Sequence, residues 1–248
     1  MCRLVGYAGA PLPADVPVFS GDHSLVRQSY APRELLSGRV NADGHGVAWY
    51  CGGLPVRAGD CRPIWQAVDL RTLLASVQSK VILALVRSAT VGIPVDESGN
   101  APLAHGRWSF VLNGFVEDFR ASYMRRLRAG LPDDLYGCLR GTSDTETLFL
   151  LAVAELRGGA SPAEALQSVR DRVFGVLGAG HTAQLNMVLA DGTGLTALRT
   201  GSVRPMNSLY TADAHRLAPA GVLVASEPFD RDPSWRPVSC GAAVTLRA

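Results

Sequence analysis

Lysine is almost missing: it occurs once, at Lys80, among 24 basic residues, and arginine supplies the rest. Twenty-two acidic residues leave a formal net charge of +2, and no basic stripe marks the chain for nucleic acid. No apolar run approaches the roughly 18 residues that a membrane span needs, and no charged segment leading into an apolar stretch opens the sequence. Neither a span nor a signal peptide is therefore expected. The five cysteines are odd in number, widely spaced and free of any Cys-x-x-Cys pair, which argues against a disulfide framework and a zinc site. A reducing cytoplasm is the expected compartment. His23, His105, His181 and His215 show no metal-ligand spacing, so no metal and no cofactor are expected. What remains is a globular balance of 47% hydrophobic and 19% charged residues over 248 positions, enough for one large core.

Glycine and proline divide that length into elements. "CRLVGYAG" reads as a strand ended by glycine, so the first residues are held in place. "NADGHGVAWYCGG" joins a turn signal, Asp43-Gly44, to an apolar run. "QAVDLRTLLASVQ" has helical spacing and leads into "KVILALVRSA", a run of the kind buried on both faces of a sheet. Asn113-Gly114 lies between two apolar stretches in "RWSFVLNGFV" and predicts a hairpin turn. Helices follow: "EDFRASYMRRLRAG" ending at Gly130, "SDTETLFLLAVAELRGG" with Ser143 and Glu146 spaced as a capping box, and "SPAEALQSVRDRVFGVLG" with Ser161 before Pro162. Strands return in the last quarter, in "AQLNMVLADG", "GLTALRTG", "GVLVASEPF" and "GAAVTLRA". Strands early and late with helices between predict an α+β domain of two sheets with helices outside.

Five features carry chemistry. Loss of the initiator Met1, favoured when the next side chain is small, would leave Cys2 with a thiol and a free α-amine. Such an amine titrates at about 7.7 to 8 and takes a proton from a neighbouring thiol near neutrality; a small residue at position two is equally compatible with no catalytic use. Arg87, at the exit of an apolar strand, offers a planar fork that matches a carboxylate, or forms an ordinary ion pair. Asn113 and Gly114 offer a side-chain amide and an unshielded backbone N–H, the two donors of an oxyanion hole, as well as a turn. Asp144 at a helix start suits an ammonium ligand and equally the positive end of the helix dipole. The small residues of "NADGHG" suit close backbone approach to a ligand.

Taken in order, "MCRLVGY", "NADGHGV", "VRSATVG", "LNG" and "SDTE", extended by "VLVASEPFDRDPSW", resemble the class II glutamine amidotransferases, a family of N-terminal-nucleophile hydrolases, over nearly the whole chain. The resemblance implies a four-layer αββα sandwich of two antiparallel sheets flanked by helices, in a single domain over residues 1–248 from which Met1 is removed. It implies that Cys2 attacks a γ-glutamyl carbonyl with its own amine as base, that Asn113 and the N–H of Gly114 hold the oxyanion, and that Arg87 and Asp144 grip the substrate's α-carboxylate and α-ammonium. The implied partner is a small γ-glutamyl molecule. The chain leaves no room after its last strands for a synthase domain, and "HSLVRQSYAPRELLSGRVNADGHGV", "PIW" and "VRSATVGIPVDES" resemble the family's stand-alone hydrolases of ergothioneine biosynthesis. A glutaminase subunit feeding a separate synthase and an inactive γ-glutamyl-binding protein are the alternatives. Two positions depart from the family pattern, Leu112 in place of His and His45 in place of Trp. Both are expected near the pocket, with His45 lining it or facing solvent.

Overall fold

The computed structural model describes residues 1–89 and 95–248, apart from the side chain of Ser98. The Thr90-Val91-Gly92 part of the "VRSATVG" motif lies outside the described residues. In chain order the strands are β1 (Arg3–Pro13), β2 (His45–Cys51), β3 (Leu54–Asp60), β4 (Gln78–Val86), β5 (Leu103–His105), β6 (Trp108–Val116), β7 (Ala183–Ala190), β8 (Gly194–Gly201), β9 (Tyr210–His215), β10 (Ala218–Ala225), β11 (Trp235–Pro237) and β12 (Ala243–Arg247). They form a seven-stranded sheet in the order β11-β9-β10-β1-β4-β2-β3 and a five-stranded sheet in the order β12-β8-β7-β6-β5, with antiparallel pairing throughout. The helices are α1 (Val16–Phe19), α2 (Leu25–Tyr30), α3 (Val68–Ala75), α4 (Met124–Arg128), α5 (Asp133–Tyr136), α6 (Asp144–Arg157) and α7 (Pro162–Val176).

Layering follows from which faces are apolar. Along β1, Leu4 and Ala8 join a core with Leu83, Leu85, Val111 and Val188 between the sheets, while Val5 and Tyr7 point the other way, toward Val18, Leu25, Leu70 and Leu74 of α1, α2 and α3. A strand covered on both faces loses the polar alternation of a half-exposed one, and β1 is buried without a break from Arg3 to Gly9. The helices α6 and α7 close the other side, where Phe110 stacks on Phe149 with ring centroids 5.4 Å apart. The sandwich is the αββα arrangement that the motifs imply.

Local signals held where the ladder did not oppose them. Ser161 and Glu164 complete a reciprocal capping box on α7. On α6 only half of the predicted box forms: Ser143 accepts the N–H of Glu146, but the Glu146 carboxylate accepts from Arg140 and Gly141 instead. The predicted helix over "EDFRASYMRRLRAG" is interrupted. Asp118 sits in the left-handed region at φ 49°, a π turn over Phe119–Tyr123 follows, and α4 is correspondingly short.

The hairpin predicted at Asn113-Gly114 does not exist. β6 runs straight through both residues, with Asn113 opposite Asn186 and Gly114 opposite Leu185 of β7. Ladder pairing along a nine-residue strand overrode the local turn preference. The glycine is required by space: a Cβ on Gly114 would stand 1.8 Å from the carbonyl oxygen of Gln184.

Candidate active site

The antiparallel register Arg3↔Val86 continues to place Cys2, at the start of β1, beside Arg87, at the end of β4. The Cys2 thiol lies 3.7 Å from the Ser88 carbonyl oxygen, to which it donates. The exit of β4 is braced by the "NADGHG" segment. The Arg87 N–H donates to the Gly44 carbonyl at 2.8 Å, the Asp43 N–H donates to the Arg87 carbonyl at 3.0 Å, and the Ala89 N–H donates to the Asp43 carboxylate at 2.8 Å. The Arg87 guanidinium packs against Gly99, where a Cβ would come within 2.6 Å of it. The glycines and the Asp of these two segments thus fix where an arginine fork stands next to a thiol.

The open thiol implied by the nucleophile reading is not what the structure holds. With Met1 attached, Cys2 is 9% exposed, because it begins a central strand flanked by β4 and β10. Burial pushes its thiol above the usual range, opposed by the N-terminal ammonium, the Ser88 hydrogen bond, Arg87 and Arg3. Burial also lowers the α-amine of Met1, which favours its unprotonated form.

Asn113 is fully buried and reaches the strand that Cys2 begins through one residue. Its Nδ2 donates to Ser226 Oγ at 3.4 Å, and the same oxygen accepts the Leu4 N–H at 3.0 Å. An amide nitrogen has two hydrogens, so one remains for a ligand. Asp144 opens α6 and is 4% exposed; its Oδ2 accepts the Val116 N–H at 2.9 Å, and Oδ1 accepts from the Thr145 N–H and hydroxyl. Burial raises its carboxyl, and these donors oppose the shift. Cys2 and Arg87 are therefore neighbours, Asn113 is joined to them through Ser226, and Asp144 is tied to the strand of Asn113 and Gly114. These strand pairings and hydrogen bonds link a thiol, an amide nitrogen, a guanidinium and a carboxylate across the two sheets.

No protein-family model matches the chain. Curated relatives do: it is 33% identical over 235 residues, 95% of this chain and 88% of the relative, to a gamma-glutamyl-hercynylcysteine sulfoxide hydrolase of Mycobacterium tuberculosis. It is 32% identical over 248 residues to the protein of the same name from Mycolicibacterium smegmatis, covering 100% of this chain and 96% of that one. The chain belongs to the gamma-glutamyl-hercynylcysteine sulfoxide hydrolase family. Among solved structures, a glutamine aminotransferase class-II domain protein from Silicibacter pomeroyi matches with a TM-score of 0.72 at 26% identity, covering 100% of this chain and 95% of that one. The fold is that of the class II glutamine amidotransferases.

Within this hydrolase family member, both departures expected near the pocket lie elsewhere. Leu112 is 3% exposed and alternates with Asn113 on β6, so it faces the side of Phe110 and α6, away from Ser226. His45 is also buried, with Nδ1 2.8 Å from the Arg62 carbonyl and a pKa lowered by burial. It lines a recess with Asp60 and Leu70 on the outer side of the seven-stranded sheet. His215, one of the histidines without metal-ligand spacing in the sequence, stands among acidic side chains. His215 meets Asp230 at 3.1 Å and Asp232 at 3.9 Å. The Leu217 N–H donates to its Nδ1, so Nε2 carries the proton and donates to Asp230, whose other oxygen holds Arg216. Sequence reasoning missed Arg3, Ser226 and Glu227, although an arginine inside the otherwise apolar "CRLVGYAG" was a signal, since a guanidinium buried in a strand requires an anion.

Proposed function

We propose that this chain, once freed of Met1, hydrolyses the γ-glutamyl amide of γ-glutamyl-hercynylcysteine S-oxide to glutamate and hercynylcysteine S-oxide. Arg87 holds the substrate's α-carboxylate and Asp144 its α-ammonium. The Cys2 amine takes the thiol proton, sulfur adds to the γ-carbonyl, and the oxyanion rests on Asn113 Nδ2 and the Gly114 N–H. The C–N bond breaks as the amine returns that proton to the leaving nitrogen. Water then adds to the thioester, its proton passes through the same amine to sulfur, and glutamate leaves.

The observation that carries this reading is the identity of about one third, over nearly the full length, with hydrolases of that name. The placement of Cys2 beside Arg87, with Asn113 held to the same strand, supports it. The chain acts as one domain over residues 1–248, in a reducing cytoplasm. No helix among the described residues is long and apolar enough to cross a membrane. The test is glutamate release from γ-glutamyl-hercynylcysteine S-oxide beside glutamine, with intact mass reporting the loss of Met1. The S-oxide is the preferred substrate, and Cys2→Ala abolishes turnover while substrate binding remains measurable. Preference for glutamine favours the glutaminase alternative, and retained Met1 with no turnover favours a binding protein.

A further inference from the structure

We propose that Arg3, Ser226 and Glu227 form a positioning device that aims the Cys2 amine and thiol at the Asn113 amide, an inference that rests on the hydrolase reading above. Arg3 follows the nucleophile and, on an alternating strand, faces away from it. It is fully buried: Nε donates to the Cys2 carbonyl oxygen at 2.8 Å and Nη1 to Glu227 Oε1 at 3.0 Å. Glu227 is 1% exposed and is itself held, with His23 Nε2 2.6 Å from Oε2 and the N–H groups of Arg33 and Glu34 donating to its two oxygens. Gln28 pins the Glu227 carbonyl oxygen at 3.1 Å. On the opposite face, the preceding residue Ser226 accepts from both the Leu4 N–H and Asn113 Nδ2. Two consecutive residues thus grip the start of β1 from both sides.

This grip has a use that stability does not supply. A buried ion pair seldom stabilises a fold more than apolar residues of the same shape. In the processed chain, however, Cys2 has no residue before it, and one torsion decides where its nitrogen stands relative to its carbonyl. The Arg3 bond holds that carbonyl and its peptide plane, the reference from which the torsion places the base. Ser226 fixes the oxyanion donor to the same strand. Both settings are referred to one dipeptide.

The device also has an electrostatic signature. In the chain that keeps Met1, burial lowers the Met1 amine next to this site and raises the Cys2 thiol; Arg3 adds a lowering influence on both, while Asp43 raises that amine and Arg87 lowers the thiol. Glu227 and Glu34 act on Arg3, and His23 acts on Glu227. Removing the Glu227 charge leaves the Arg3 cation unbalanced and favours neutral amine; removing Arg3 does the reverse.

The test is kcat/KM against pH for γ-glutamyl-p-nitroanilide, with iodoacetamide alkylation of Cys2 against pH as a readout independent of turnover. Glu227→Gln is expected to move the lower midpoint down by about one pH unit, and Arg3→Gln to move it up by a similar amount. Arg3→Lys keeps the charge and loses the carbonyl bond, so its midpoint stays and kcat falls about tenfold. Thermal melts confirm folding, and if Arg3→Gln does not fold, Glu227→Gln and Arg3→Lys decide. Unchanged midpoints, or shifts of the same sign in Glu227→Gln and Arg3→Gln, overturn the proposal. Failure of the unmodified enzyme to release glutamate or nitroaniline would sink the hydrolase reading instead, and the alkylation profiles would still judge the device.

Discussion

Replacing Gly114 by Ala tests the close approach of β6 and β7. The new Cβ would lie 1.8 Å from the Gln184 carbonyl oxygen, and contacts below 3.0 Å essentially never occur, so that backbone must withdraw by about 1.2 Å. Neighbouring strands stand roughly 4.8 Å apart, so the displacement is about a quarter of the spacing. No side-chain rotation relieves it. Overpacking of this kind costs about 1 to 3 kcal/mol, and weakening two flanking ladder bonds adds about 1 kcal/mol each, for a total of about 3 to 5 kcal/mol. For a chain of this size that is a fall in Tm of roughly 6 to 20 °C. If Gly114 donates to the oxyanion as proposed, any folded remainder misplaces that donor, and kcat should fall about 10²-fold. Calorimetry and steady-state kinetics on the same preparation measure both. Gly114 is not among the glycines of positive φ, so backbone strain does not enter. A Tm within about 2 °C of the unmodified chain, with normal turnover, would refute the argument that space selects this glycine.

Three further outcomes are expected. Arg87→Lys should raise KM for γ-glutamyl substrates about tenfold with kcat largely retained, since a point ammonium replaces a two-pronged contact; an unchanged KM removes Arg87 from the site. Leu112→Ala should cost about 2 to 5 kcal/mol in urea unfolding, as a buried leucine between sheet and helix does, without altering the preference between the S-oxide and glutamine. A changed preference returns Leu112 to the pocket. In the chain that keeps Met1, iodoacetamide should modify Cys2 more slowly at pH 8 than the exposed Cys51 and Cys138, because burial raises the Cys2 thiol above its ordinary 9.0. The folded chain then holds that proton more tightly than the unfolded one. This contribution to stability is complete below pH 9 and declines as pH rises beyond it.

What could be read in the sequence was local or tied to motif order. Ser161 and Glu164 are three residues apart and satisfy each other, so the start of α7 was visible; so was the turn between Ala190 and Gly194, where Asp191 and Gly192 carry the reversal. Asn113-Gly114 shows how such reasoning fails. The dipeptide has the chemistry of a tight turn, but its conformation is set by β7, some 70 residues later, and by the Gln184 carbonyl that fills the space beside Gly114. Glu146 fails for the same reason on a smaller scale, because the loop before α6 presents two unpaired N–H groups that claim its carboxylate. Leu112 and His45 were placed near the pocket by adjacency in sequence. In a strand, adjacency means the opposite face.

That alternation also explains why the most consequential side chains escaped notice. Cys2 and Leu4 face the space between the sheets, so Arg3 must face the layer of α1 to α3, where no solvent is available to a guanidinium. A cation there demands an anion, and the sequence gives no indication which of 22 carboxylates answers. The sheet order answers it: β10 lies antiparallel to β1, so the residues that follow β10 emerge beside those that begin β1, and Ser226 and Glu227 arrive beside Cys2 by topology alone. The same rule brings the end of β4, and with it Arg87, to the other flank. In the proposed processed chain, Cys2 would have one covalent neighbour to orient it, and the antiparallel sheet supplies the missing constraint from the two strands at its sides.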